Sequence, residues 1–265
     1  MKKIAFFFLL LSALTSCQKV IEFDLNTSDP KVIIEADITD QTDGYQVKIT
    51  KTVNFSAPNN YPAVKGAVVT ITDELGAVQT LTESLAGVYT LKGAKGVSGK
   101  TYALKIVAEG KTYTATSKMP KLVPFLGVEV RENTFPGPAS DTSYLYMPVF
   151  VDPANEQNNY LFFLSVKGKR DKGFDNIFND NIINGVRNQR PVIASEDFKV
   201  SSKDTVTVEM RCIDKGVYDY FYSLNEITSA NGGSATPANP VSNISGGALG
   251  YFSAHTVRKV AAIIP

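Results

Sequence analysis

Short runs of β-branched and aromatic residues recur about every 8 to 12 positions through the first half of this chain, and no other feature restricts its fold as strongly. The runs lie at residues 32–36, 45–53, 67–72, 78–82, 88–91, 102–108 and 112–117. In the second of them Tyr45, Val47 and Ile49 alternate with Gln46, Lys48 and Thr50, the period of a strand buried on one face. Asp43-Gly44, the tetrad from Asp73 to Gly76, Ala86-Gly87 and Glu109-Gly110 supply turns between them. Seven strands in about 90 residues predict an immunoglobulin-like or transthyretin-like sandwich over residues 31–120.

A Pro-containing join at 119–124 leads into a second β-rich domain, 121–265, with strands expected at 126–131, 145–151, 160–167 and 206–213. One helix is expected near 215–230. Val217, Tyr220, Phe221, Leu224 and Ile227 recur there at helical spacing, with Asp214 as N-cap and Asn231-Gly232-Gly233 as the stop. The apolar stripe reads as core packing. The remainder, 237–264, reads as a turn-rich loop followed by a terminal strand. The whole is a mainly β fold with a single helix.

The N-terminus sets the expected location. Lys2 and Lys3 precede an apolar run at 4–11, which is too short to span a bilayer, and Leu14-Thr15-Ser16-Cys17 matches a lipobox. Residues 1–16 are therefore read as a cleaved signal peptide and Cys17 as the site of acylation by diacylglycerol and palmitate-type chains. Residues 17–30, with Asn26, Thr27, Ser28, Asp29 and Pro30, read as a tether. The mature protein would be held on a membrane by lipid alone, since no other apolar stretch approaches spanning length.

Composition excludes several functions. Without residues 1–16 the chain of 265 falls to 249 residues, and its 27 basic side chains fall to 25 against 26 acidic, a net charge of about −1. No basic stripe invites nucleic acid. Besides Cys17 the one thiol is Cys212, which has no partner for an internal disulfide and reads as a small buried residue. A lone histidine, His255, cannot build a His-rich zinc site, and Ser253 two positions away lies in no nucleophile-elbow motif. Gly246, Gly247 and Gly250 lack the following Lys-Ser or Lys-Thr of a phosphate loop and read as a close backbone approach or a bulge.

No catalytic residue, metal site or cofactor is expected. Asp175, Asn179, Asp180 and Asn181 offer oxygen ligands of the kind calcium takes, but not at helix-loop-helix spacing. Asp204-Thr205-Val206 resembles an O-glycosylation acceptor, with Thr205 as the modified residue.

Two resemblances extend these readings. Gly66 to Asp73, Gly76, Gly87-Val88-Tyr89 and Gly99 to Tyr102 resemble the sandwich repeats of carboxypeptidase regulatory-like and collagen-adhesin B-type domains. The same positions, with Asn239-Pro240-Val241, Asn243-Ile244, Gly246-Gly247 and Gly250-Tyr251-Phe252, resemble the Bacteroidota lipoproteins classed as domain of unknown function 4249. That resemblance implies an outer-membrane lipoprotein similar to accessories of TonB-dependent transporters, with no agreed activity. The expectation is a non-enzymatic protein that captures a ligand or partner for such a transporter. The alternatives are a glycan- or peptide-acting hydrolase with paired carboxylates, or a structural or adhesive envelope component. The stretch 231–250 is about 20 residues long, more than compact domains usually leave as loop, and so Asn239, Asn243, Tyr251 and Phe252 are the candidate binding residues.

Overall fold

The computed structural model describes residues 29–54, 57–58, 60–133, 144–173, 175–229 and 239–265. Cys17, the expected acylation site, and the expected signal peptide at 1–16 lie outside the described residues.

Alternation becomes architecture along the first strand. Val32–Thr39 (β1) buries Val32, Ile34, Ala36 and Ile38 and turns Glu35 and Asp37 to the opposite face. Tyr45–Lys51 (β2) pairs with it antiparallel across the Asp43-Gly44 turn. Val68–Asp73 (β3), Val78–Leu85 (β4), Val88–Leu91 (β5), Thr101–Ala108 (β6) and Lys111–Lys118 (β7) follow. These are the seven expected strands, and their inward side chains, Ile34, Val47, Ile71, Tyr89, Leu104 and Ile106 among them, form one apolar core.

The second half opens with a separate antiparallel hairpin, Gly127–Glu132 (β8) with Tyr144–Val149 (β9). Asn159–Val166 (β10) follows, and Lys169–Arg170 (β11) and Asn176–Asn179 (β12) both pair along one edge of it. Thr205–Ile213 (β13) takes the other edge, and the chain then forms the helix Lys215–Ser229 (α1). Asp214 caps this helix as expected: its Oδ1 accepts the Val217 N–H at 3.0 Å, satisfying one of the donors a helix start leaves over. Phe150, Tyr160, Phe162, Val208, Met210 and Cys212 build a second core under the β8–β9 hairpin. Cys212 is buried there, as read from its context, and burial pushes its thiol pKa up.

Ile244–Ser245 (β14) and Leu249–Ile263 (β15) end the chain, and β15 changes the expected domain plan. Its first half, Leu249 to His255, lies parallel to β1, and its second half, Thr256 to Ile263, lies antiparallel to β13. Twelve strands form one continuous path, β11-β10-β13-β15-β1-β2-β5-β4-β3-β6-β7-β14, with β12 also against β10. The division at 120/121 therefore separates the chain but not the sheet, because the terminal strand completes both halves.

The sheet curls until β7 meets β15 again. Ala254 N–H donates to Ser117 Oγ at 2.8 Å, and Ser117 Oγ lies 2.5 Å from the Asp214 carboxylate. Gly250 makes the β1–β15 approach feasible: its φ is +99°, and a Cβ there would lie 2.0 Å from the Ile34 carbonyl oxygen. At the point where β15 leaves β1, Asp40 clasps it by accepting Val257 N–H at 2.9 Å and pairing with Arg258 at 2.7 Å. Burial raises the Asp40 pKa, but the hydrogen bonds from Val257, Gln41 and Arg258 outweigh it and hold the carboxyl below its ordinary value.

Candidate functional site

The two faces of β15 carry different chemistry. On the core face Phe252 and Ala254 are wholly buried with Ala36 and Ile38. On the other face Tyr251, Ser253 and His255 lie opposite Glu35, Asp37 and Thr39, while Val257 and Lys259 lie opposite Arg211 and Glu209. Charged side chains from β1, β13 and β15 thus meet on one surface.

Arg211 is the hub of that surface. Its Nε donates to Glu209 at 2.6 Å, and its Nη1 lies 3.6 Å from Asp37 Oδ1; Lys259 reaches Glu209 from the far side at 3.1 Å. These side chains are partly covered: Arg211 and Glu209 are each 17% exposed and Asp37 is 25% exposed. Burial raises the Asp37 pKa, and Arg211 offsets only part of that rise. For Glu209 the balance reverses, since Arg211 and Lys259 overcome the burial cost and lower its pKa. One floor thus holds two carboxylates shifted in opposite directions, the pattern that recognition and catalytic sites share.

Aromatic rings frame this floor. Phe163 of β10 lies under two guanidinium groups, with Arg170 3.1 Å and Arg211 4.7 Å from its centroid. On the opposite side α1 presents Tyr220 and Phe221, each with its ring centroid 5.1 Å from that of Tyr251. Leu161, Ile213 and Val217 anchor the helix beneath them in a third apolar cluster. Beyond the helix lies a cleft of about 520 Å³ lined by Lys172, Asp175, Ser195, Glu196, Leu224 and Asn225 among others. Asp175 joins cleft to floor: burial raises its pKa, and Arg170 and Arg211 pull the other way.

Ser253, His255 and Asp37 come together here without the geometry of a proton relay. Ser253 Oγ lies 2.9 Å from His255 Nδ1, and Asp37 Oδ1 lies 3.7 Å from the same nitrogen. A nucleophile and its orienting carboxylate need opposite ring nitrogens. His255 Nε2 instead has no hydrogen-bond partner and the ring is fully buried. Burial first, and then Arg211, hold the His255 pKa well below its ordinary value, so the imidazole is neutral.

A family model described as Domain of unknown function (DUF4249) matches residues 18–260, from ahead of β1 into the second half of β15. The chain belongs to that family. The DUF4249 match spans both halves of the sheet, in keeping with a fold in which neither half is complete without the terminal strand. No curated protein matches the chain.

The residues singled out in this DUF4249 chain have distinct fates. Phe252 is fully buried in the first core, which corrects its reading as a binding residue: its place on β15 points it inward with Ala254. Asn243 is likewise structural. Its Oδ1 accepts Phe252 N–H at 2.9 Å and its Nδ2 donates to Phe252 O at 2.7 Å, so a side-chain amide caps the edge of β15 that no strand covers. Within the expected 231–250 loop, residues 244–250 are β14, its turn and the start of β15, residues 239–243 form no regular element, and residues 231–238 lie outside the described residues. Tyr251 does face the charged floor, and Asn239 is exposed.

The acidic stretch from Asp175 to Asn181 is not an open loop either. It forms β12 and a 3-10 turn, Asp180–Ile182. Asp180 accepts Asn158 N–H at 2.9 Å and Asn179 donates to the Tyr218 hydroxyl at 3.0 Å, which commits these oxygens and amides to the fold. Among the described residues no group of three or more His, Cys, Asp or Glu side chains is placed to hold a metal ion, and no helix is long and apolar enough to cross a membrane. Thr205 is exposed at the first position of β13, beside Asp204, which accepts Ser201 N–H at 2.9 Å.

Sequence reading missed Asp37, Glu209, Arg211, Arg170 and Phe163. Asp37, Glu209 and Arg211 stand at outward positions of otherwise apolar strands, and that was the available signal. Their convergence follows from the β1–β15–β13 order, which alternation alone does not disclose.

Proposed function

We propose that this protein is an exported outer-membrane lipoprotein, acylated at Cys17, that binds a ligand or partner for a TonB-dependent transporter and does not transform it. The observation that carries the reading is the Arg211 floor, where guanidinium and carboxylate groups are fixed at 17–25% exposure beside aromatic rings and a cleft. The volume of the neighbouring cleft lies within the roughly 300–1,000 Å³ of small-molecule sites, and Asp175 and Ser195 offer polar groups in its lining. Binding fits this surface better than turnover, because the one histidine is buried and neutral and the hydroxyl beside it, Ser253, is buried too. The lipobox supports the location, and the resemblance to transporter accessories supports the partner. The N-terminal seven strands fit an immunoglobulin-like or transthyretin-like sandwich extended by a foreign parallel strand.

The test is recovery of the native lipoprotein from solubilised outer membrane with its neighbours identified by mass spectrometry. The wild type should retain a TonB-dependent transporter and Arg211→Met should lose it while staying folded. A transporter recovered equally with both proteins would remove the floor from the interface, and its absence from both would sink the accessory role.

A further inference from the structure

β15 gives the molecule a long axis with two unlike ends. Because β1 and β15 run parallel, the level of Ile33 and Leu249 marks one end, and the chain enters the fold there at Lys31. The strand then continues past the far end of β1 for eight residues, Thr256 to Ile263, paired with β13. At about 3.3 Å per residue those eight extend roughly 25 Å beyond the sandwich, and the whole of β15 measures about 50 Å. Strand pairing assigns the rest: the 86–87 and 109–110 turns and residues 60–67 fall at the Lys31 end, while β11 falls at the other.

We infer that the lipidated protein stands end-on, with its Lys31 end resting on the bilayer and its C-terminal half held away from it by the length of β15. The inference rests on acylation at Cys17. Thirteen residues separate Cys17 from Lys31, and that many cannot reach beyond about 45 Å. Inverting the molecule would lift Lys31 about 50 Å from the lipid, beyond even the stretched tether. Of the two ends, the Lys31 end is the one within that reach of the lipid.

The chemistry of that end suits a lipid surface. Leu85 is 72% exposed, Val68 57% and Tyr61 48%, and Val68 lies directly opposite the exposed Val107 on the neighbouring strand. Lys31, Lys65 and Lys111 are exposed around them. Two of the acids there are engaged within the fold: Glu109 pairs with Lys51 at 2.6 Å, and Glu83 accepts the N–H groups of Gly66 and Gly87, each at 2.9 Å, while Asp29 is exposed. Aliphatic and tyrosyl groups among lysines enter the headgroup layer while the ammonium groups meet anionic phosphates.

The experiment places the Cys17-lipidated protein in vesicles of phosphatidylethanolamine and phosphatidylglycerol that carry a nitroxide headgroup lipid. A fluorophore is attached at Lys65→Cys or at Lys169→Cys, and mass spectrometry verifies the lipid on Cys17. Emission from the label at 65 should be quenched severalfold, emission from the label at 169 should be unchanged, and Val68→Asp with Leu85→Asp should relieve the quenching at 65. Equal quenching at both sites, or quenching at 169 alone, overturns the end-on arrangement while leaving lipidation intact. A Cys17 without lipid overturns the arrangement and the lipoprotein reading together, and mass spectrometry distinguishes that failure from the first.

Discussion

Adjacent residues of β15 live in opposite environments. Phe252 and Ala254 disappear into hydrocarbon, whereas Tyr251, Ser253 and His255 hold up a charged floor. The apolar face explains why the sheet is stable. The polar face does not, because holding Arg211, Glu209 and Asp37 out of water costs free energy that their mutual attraction only partly returns. Apolar residues of similar volume would serve the fold at least as well, so the difference separates what the sheet needs to fold from what it carries for another purpose.

The sharpest way to break the comparison is on the apolar face. Phe252→Ala should cost about 3–5 kcal/mol in urea unfolding, the loss expected of a truncated core aromatic. A cost under about 1 kcal/mol would mean that the core tolerates a void there and that the two faces are less different than they look. On the polar face Arg211→Met should cost about 2 kcal/mol, discounted for partial exposure, by leaving Asp37 and Glu209 without their cation. Adding Asp37→Leu to Arg211→Met should restore part of that stability. If the double variant unfolds more easily than the single, the floor is structural.

Much of this contrast was legible beforehand, and the unread part has a common cause. The alternation in β1, β2 and β6 and the Asp214 cap follow from local rules, and the strands and helix fall within a few residues of where those rules place them. Asn243 and Phe252 were misread because a stretch rich in Gly, Asn and Ser has the composition of a loop, whereas here an amide side chain substitutes for a missing strand. The floor was invisible for a related reason. Asp37 and Arg211 meet only once the last strand is placed between the first and the thirteenth, a pairing of distant segments that no local period encodes.

Two smaller effects sharpen the contrast further. Asn243→Ala should cost about 1–2 kcal/mol by leaving the N–H and C=O of Phe252 unpaired at an edge no strand covers, and hydrogen exchange should quicken at Phe252 more than at Ala36. His255 supplies the last. Its folded pKa is depressed below the ordinary 6.5, so its contribution is fully present above 6.5 and is lost as pH falls toward the folded value, because only the unfolded chain takes up the proton. Between pH 7.5 and 5.5 the wild type should lose about 1 kcal/mol more than His255→Leu, read from paired urea titrations. Parallel pH profiles for the two would show that the imidazole reaches solvent.

The position of β15 has a consequence for how the protein is made. The strand that lies between β1 and β13 is synthesised after both of them, and until it arrives each presents an open edge. Synthesis from the N-terminus therefore cannot complete the sheet half by half, and closure waits for β15. Such non-local pairing folds slowly, so the chain stays open longer than one built from local contacts. It also leaves any chain truncated before Leu249 with two exposed templates for aggregation.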